Sequence, residues 1–377
     1  VAITSGRDNV IAALGQSDRV CRVFLWGLAH WQEKVLAAMQ VPFPELTYLR
    51  LRTHDETPPV IPDSFLGGSA PRLRYFSLFG IPFPGLPKLL LSATHLVNLR
   101  LISIPHSGYI SPEAMVALFC ALSSLEAISL QFRSPRSRPH GESQSLSPPK
   151  RSILPALDNF HFQGVTEYLE DLVNFIDAPQ LNYFYISFLS QINFDTPRLA
   201  QFINRTPKLS KCDVHVQFHS NFARVELPAG SGTLEISISC REPDRQISSI
   251  KQVCNSSLHP LSTVEDLYVE HEYLELAWKI RAIENTLSWL DFLRPFTSVK
   301  NLYLFKEFTP GIAAVLKKLV GSRIIEVLPS LQNIFVEGLE PSGPFRESIE
   351  QFVAARQLSY HPIAISVWDS DSNMKPM

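Results

Sequence analysis

Pro44-Glu-Leu46-Thr-Tyr48-Leu49-Arg50-Leu51, Pro71-Arg-Leu73-Arg-Tyr75-Phe76-Ser-Leu78 and Thr94-His-Leu96-Val-Asn98-Leu99-Arg100-Leu101 are three versions of one phrase, LxxLxL. The phrase returns at Leu125/Ile128/Leu130, Leu157/Phe160/Phe162, Leu181/Phe184/Ile186, Leu209/Cys212/Val214, Val264/Leu267/Val269, Val299/Leu302/Leu304 and Leu331/Ile334/Val336. A first copy reads Val20/Val23/Leu25, and a degenerate one at Leu234/Ile236/Ile238 keeps the alternation without the full spacing. The last two apolar residues of each phrase are two apart, so in a strand they share one face while the residues between them point to the other. One short strand cannot bury that face, but copies laid side by side form a parallel sheet with a continuous apolar wall.

From Val20 to Leu331, eleven steps cover 311 residues, about 28 per step, the period of a leucine-rich repeat. Six copies carry Pro two positions before the first apolar residue (Pro44, Pro71, Pro155, Pro179, Pro207, Pro329), fixing φ where any preceding helix must end. Ser111-Pro112-Glu113 before Ala114, Met115, Leu118, Phe119 and Leu122 predicts a helix with a Ser cap and Pro in its first turn. Helical spacing also marks 166–175, 196–203, 273–292, 312–320 and 345–355. The expected fold is therefore α/β: a leucine-rich-repeat solenoid or horseshoe with irregular repeats. Its parallel β-sheet lines the concave face, with helices and loops on the convex face. It is expected as a single domain over 1–369 of about twelve repeats, with a flexible Ser/Pro/Arg-rich loop at 133–152 and a disordered tail at 370–377.

The 377 residues are 45% hydrophobic and 19% charged, which supports a large core. Thirty-four Lys+Arg against 36 Asp+Glu give a net charge of −2, so neither nucleic acid nor an anionic membrane is an expected partner. No apolar run reaches the length of a membrane span, the first residue is Val rather than Met and no signal peptide is visible, as expected of a fragment or processed product whose true N-terminus is missing. Five cysteines without a CxxC pair favour reduced thiols and a cytoplasmic or nuclear location.

No phosphate-cradling, zinc-protease or nucleophile-elbow motif occurs, and no cofactor, metal or catalytic residue is expected. His215 and His219 read as surface histidines, Cys120 and Cys212 as core, and the acidic cluster Glu265, Asp266, Glu270 and Glu272 as a solvated face. What remains is the sheet face opposite the core. It carries Arg22, Phe24, Trp26, Tyr48, Arg50, Arg52, Tyr75, Phe79, Asn98, Arg100, Asn159, His161, Tyr183 and Tyr185. Farther along it carries Lys211, Asp213, Asp266, Tyr268, Glu270, Asn301, Tyr303, Phe305, Asn333, Phe335 and Glu337. Water-facing strands are better served by polar residues, and Tyr, Trp and Arg dominate binding hot spots. The expected partner-binding set is Phe24, Trp26, Tyr48, Arg50, Tyr75, Phe79, Arg100, Tyr183, Tyr185, Tyr268, Tyr303, Phe305 and Phe335. High β-propensity, or return loops lying over the sheet, would account for the same residues without binding.

Longer phrases point the same way: Asp18-Arg-Val-Cys-Arg-Val23, Met39-Gln-Val-Pro-Phe-Pro-Glu-Leu-Thr-Tyr-Leu-Arg-Leu51, Pro62-Asp-Ser-Phe-Leu-Gly-Gly-Ser-Ala-Pro-Arg-Leu73, Ile104-Pro-His-Ser-Gly-Tyr-Ile-Ser-Pro-Glu-Ala114 and Phe352-Val-Ala-Ala-Arg-Gln-Leu358. Together they resemble the fungal (basidiomycete) F-box-like proteins with leucine-rich repeats, from about residue 8 to residue 369. The resemblance implies a non-enzymatic interaction module, the substrate-recognition part of an SCF-type ubiquitin-ligase receptor whose repeats hold a target protein. The F-box of such families docks on the Skp adaptor of a cullin ligase. With repeats starting near Val20, contact with Skp and cullin is expected only if an F-box lies upstream. The Asn that usually follows LxxLxL is also absent from most copies (His54, Ile81, Arg133, Val165, Leu189), so no regular asparagine ladder is expected. The alternatives are an orphan leucine-rich-repeat recognition protein without a ligase link, and an enzyme with an unrecognised site.

Overall fold

The computed structural model describes residues 2–4, 7–26, 32–55, 58–134, 151–189, 194–209, 213–229, 232–256, 261–271, 286–305, 309–319, 325–338 and 344–368. The chain is mixed α/β, dominated by mostly parallel sheet, and no closed barrel forms among the described strands. It divides into two compact units, Val1–Leu189 with Arg205–Lys208, and Ser190–Asn204 with Leu209–Met377.

In the first unit, β1 (Ala2–Thr4), β2 (Arg22–Trp26), β3 (Tyr48–Arg52), β4 (Tyr75–Phe79), β5 (Asn98–Ile104), β6 (Ala127–Phe132), β8 (Asn159–Gly164) and β10 (Tyr183–Leu189) lie side by side, all parallel. The register is that of the phrase: Val23, Leu49, Phe76, Leu99, Ile128, Phe160 and Phe184 form one row, and Leu25, Leu51, Leu78, Leu101, Leu130, Phe162 and Ile186 the next. Every one of these residues is buried. At roughly 1.5–3 kcal/mol for each buried Leu or Phe, such rows are the main stabilising term. Helices α1 (Arg7–Leu14), α2 (Gln32–Ala38) and α3 (Leu86–Leu90) are followed by α4 (Pro112–Ala121) and α5 (Thr166–Val173), which pack side by side and bury Met115, Phe119, Leu169 and Leu172. The Ser111 hydroxyl caps α4 by accepting from the Ala114 N–H at 3.2 Å, as the sequence predicts.

The first apolar residue of each phrase closes a turn. Leu46 N–H bonds the carbonyl of Phe43, Leu73 that of Ala70, Leu96 that of Ala93, Leu125 that of Leu122, Leu157 that of Leu154 and Leu181 that of Ala178. The prolines at 44, 71, 155 and 179 hold the second position of these turns, where their fixed φ is already correct. Two N–H groups per copy then converge on one carbonyl of the copy before: Thr47 and Tyr48 on Cys21, Arg74 and Tyr75 on Thr47, Val97 and Asn98 on Arg74, Glu126 and Ala127 on Val97. Past the ends of β3 and β4, backbone bonds link successive copies: Thr53 N–H to Phe79 and Gly80 N–H to Ile102. Gly80 has φ +70°, and a Cβ there would stand 2.8 Å from the Thr53 carbonyl oxygen.

The second unit has β11 (Asp213–Phe218), β12 (Phe222–Ala229), β13 (Gly232–Ser239), β14 (Asp266–His271), β15 (Asn301–Leu304), β16 (Asn333–Glu337) and β17 (Ala364–Trp368), paired in the order β13-β12-β11-β14-β15-β16-β17. From β11 through β14 to β17 the pairs are parallel. The copy at Leu234/Ile236/Ile238 corrects the expected parallel ladder: it lies in β13, antiparallel to β12, which is antiparallel to β11. The cause is chain length. Three residues separate β11 from β12 and two separate β12 from β13, whereas a parallel return needs a crossover of about a dozen residues or more. The buried alternation is kept (Ala223, Val225, Leu227; Leu234, Ile236, Ile238), so a hairpin meander replaces one repeat without opening the core.

Helix α6 (Pro197–Arg205) matches its predicted segment, as do α8 (Thr286–Leu293), α9 (Thr309–Lys317) and α10 (Pro344–Leu358) within the described residues, whereas α7 (Pro243–Ser256) carries no expectation from the sequence. In α10, Arg356 is fully buried and donates to the carbonyls of Leu328, Pro329 and Leu331 at 3.0, 3.3 and 3.5 Å, tying the helix to the turn that opens β16. Of the expected loop, 135–150 lie outside the described residues, and its last residue, Ser152, instead starts β7 (Ser152–Ile153), paired with β9 (Ile176–Asp177). The expected tail at 370–377 also lies outside them.

Candidate functional site

On the face opposite the core, the register of the first unit sets three rows. Arg22, Tyr48, Tyr75 and Asn98 make the first, Phe24, Arg50, Ser77 and Arg100 the second, and Trp26, Arg52, Phe79 and Ile102 the third. Each register pair on this face between β2 and β3 therefore sets an arginine beside an aromatic ring, and the third row continues the alternation to Phe79 on β4. The Arg22 guanidinium lies 4.8 Å from the Tyr48 ring centre, Arg50 5.1 Å from Phe24, and Arg52 4.4 Å from Phe79 and 5.7 Å from Trp26. Each such contact contributes about 0.5–1 kcal/mol at an exposed site. Tyr48 and Tyr75 stack at 4.3 Å. Arg52 also donates from Nε to His54 Nε2 at 3.0 Å, so that imidazole nitrogen is an acceptor.

The lattice is open: Trp26 is 58% exposed, and Phe24, Tyr48, Arg50, Tyr75, Phe79 and Arg100 are half-buried. The rest of this unit's face is neutral. Gln131 donates to Ser129 at 2.9 Å and lies 3.2 Å from His161 Nδ1, while burial and, after it, the nearby Arg100 charge hold the His161 pKa below its ordinary value. At the far strand Tyr183 is exposed and runs parallel to half-buried Tyr185, 6.4 Å between ring centres.

The same face of the second unit is built differently. His215, Tyr268, Tyr303 and Phe335 are register partners and stack in one row at 4.1, 4.1 and 4.7 Å. Trp368 stands edge-on over it, 6.2 Å from Tyr268, 5.5 Å from Tyr303 and 5.0 Å from Phe305. Tyr268 and Tyr303 consequently lie on the expected face but are buried, 7% and 3% exposed, which corrects the expectation of an open aromatic wall there. Burial, reinforced by Tyr303, pushes the Tyr268 phenol far above its ordinary pKa. Phe305 and Phe335 remain half-buried. Trp368 went unnoticed in the sequence because β17 has no LxxLxL, only the alternation of Ile365 and Val367 with Ser366 and Trp368.

Polar groups of this second face bond one another. Glu270 accepts from Gln217 at 2.9 Å and is paired with His215 at 2.9 Å, and Arg224 meets Glu235 at 3.5 Å and Gln217. Asn301 donates to Asp266 at 2.6 Å and Asn333 to Asn301 at 2.7 Å, a short amide ladder at the strand starts. The acidic cluster is thus bonded into the face: Asp266 is buried, and Glu265 pairs with Lys300; Glu272 lies outside the described residues. His219 is buried and stacked on Phe222 at 3.9 Å, and Cys120 is exposed on α4, both against expectation. Cys212 and Lys211 lie outside the described residues.

Among the described residues no cluster of three His, Cys, Asp or Glu side chains could hold a metal ion, and no helix is long and apolar enough to cross a membrane. A recess lined by Leu78, Ile81, Phe83, Leu86, Leu101 and Ile110 offers apolar side chains only. No protein-family model matches the chain, and a search of curated proteins finds no match to it.

Proposed function

We propose that this chain is a non-enzymatic protein-interaction module, a leucine-rich-repeat solenoid whose polar sheet face is its concave side. We further propose that it serves as the substrate-recognition part of an F-box-like ubiquitin-ligase receptor. The interaction reading is carried by one observation: the half-open lattice of Trp26, Phe24, Tyr48, Tyr75 and Phe79 with Arg22, Arg50 and Arg52. Large rings kept partly in water on a rigid parallel sheet contribute little to the core and are pre-ordered for contact. The repeat reading draws on the recurring turn, paired N–H groups and strand. The ligase link rests on the resemblance in sequence. In it, the chain positions a target, and the Skp adaptor and cullin attach through an F-box upstream of residue 1.

Affinity purification from the source cells, with wild type beside a Trp26→Ala/Tyr48→Ala/Tyr75→Ala variant, tests the interaction. Loss of a specific set of co-purifying proteins at unchanged melting temperature is expected; identical sets would sink this reading. Extending the chain with its upstream coding sequence and measuring Skp binding tests the ligase link separately. No binding by the extended protein removes it.

A further inference from the structure

Arg22, Arg50, Arg52 and Arg100 fall within four adjacent strands, and the described strand residues of the first unit place no Asp or Glu on that face. None of the four takes part in an ion pair among the described residues. Several arginines elsewhere are paired: Arg72 with Glu45, Arg224 with Glu235, Arg294 with Asp291 and Glu326, and Arg346 with Glu350. Acid is not scarce in a chain with 36 Asp+Glu, so the charge of this face is a local feature rather than a consequence of composition. Four permanent cations share a patch about 14 Å wide, three strand spacings of about 4.8 Å, and no described strand residue on it carries a negative charge to neutralise them.

Resting the proposal on the interaction reading above, we infer that the face of β2 to β5 binds an extended acidic segment of a polypeptide, its Asp and Glu side chains received by Arg22, Arg50, Arg52 and Arg100. The aromatic rings prepare Arg22, Arg50 and Arg52 for this role. A guanidinium stacked against a ring keeps its N–H edges in plane and available, and a carboxylate accepts from two of them in parallel. Arg50 and Arg52 stand two residues apart on β3, about 7 Å, which matches the same-side spacing of carboxylates along an extended chain. The exposed Trp26 at the edge of the lattice adds apolar area for whatever residue flanks the acids. Nucleic acid is disfavoured by the small number of cations, by the neutral Ser77, Asn98, Ser129 and His161 around them and by the net charge of −2.

The test is a selection from a randomised displayed peptide library on the full chain, followed by anisotropy titrations of the enriched peptides and of a single-stranded oligonucleotide at low and high salt. Enrichment of Asp and Glu is expected, with binding that weakens as salt rises and is about tenfold weaker in Arg50→Gln/Arg100→Gln, a variant that melts like wild type. Three results would overturn the proposal: no enriched peptides, acidic peptides that bind the Gln variant equally well, or an oligonucleotide that binds more tightly than any peptide. Neutral peptides that lose binding in Trp26→Ala would refute the acidic partner and spare the interaction reading. An unchanged set of co-purifying proteins in the triple alanine variant would refute that reading itself.

Discussion

The polar faces of β2–β5 and of β11 with β14–β16 start from the same phrase and end as opposites. Both place aromatic rings two residues apart on the side away from the core. In the first unit the rings lie against arginines that have no ion pair among the described residues, and they stay in contact with water, as Phe24, Trp26 and Tyr48 do. In the second they stack on one another beneath Trp368, and the acids beside them accept from His215, Gln217 and Asn301. A ring's position in a repeat therefore does not decide its use; the neighbours on the adjacent strands do. Where they are rings and a covering indole, the face joins the core, and where they are guanidinium groups, it remains a surface.

Alanine substitutions put that difference on one scale, and the largest effect belongs to Tyr303. Tyr303→Ala removes a ring 3% exposed from a stacked row and is expected to cost about 3–5 kcal/mol in urea unfolding. Tyr75→Ala, which removes a half-buried ring of the open lattice stacked only on Tyr48 among the described rings, is expected to cost about 1 kcal/mol. Equal losses at the two sites would erase the distinction drawn here. Arginines give the next contrast. Arg224→Gln breaks a half-buried pair with Glu235 and is expected to cost about 1–2 kcal/mol. Arg100→Gln, with no acid or ring to lose among the described residues, should stay within about 0.5 kcal/mol of wild type, and Arg50→Gln, which loses its Phe24 contact, within about 1 kcal/mol. A large loss at Arg50 would mean that it holds the fold rather than faces a partner.

The strands were legible because LxxLxL states burial directly, and Val23, Leu49, Phe76, Leu99, Ile128, Phe160 and Phe184 all fall in one buried row. The turn prolines were legible for the same reason, since φ is a local property. The β12/β13 meander was harder to read because alternation is common to parallel and antiparallel strands, and only the two- and three-residue connections separate them. Which face residues would be open depended on partners distant in sequence. Tyr303 is covered by Trp368, 65 positions away, and nothing near Tyr303 announces that contact. Arg22 and Arg52 were legible as face residues, yet that no described strand residue beside them is acidic appears only once the strand register is known.

The smallest effect tests whether the second face is fully at ease with its own charges. Glu235 and Glu226 are register partners on β13 and β12, so two carboxylates stand opposite each other. Burial is the first cause that raises the Glu235 pKa and Glu226 adds to it, while Arg224 acts against both. With its folded pKa above the unfolded value, Glu235 holds its proton more tightly in the native state. Its contribution to stability is therefore fully present below the unfolded carboxylate pKa and is lost as pH rises through the folded one. Glu235→Gln should flatten the fall in unfolding free energy across that window and leave the protein slightly more stable at neutral pH. Urea titrations at closely spaced pH values read this slope. A slope unchanged in the variant would show that Arg224 already offsets the crowding, and that both faces of the comparison are balanced in charge except at the four arginines of β2–β5.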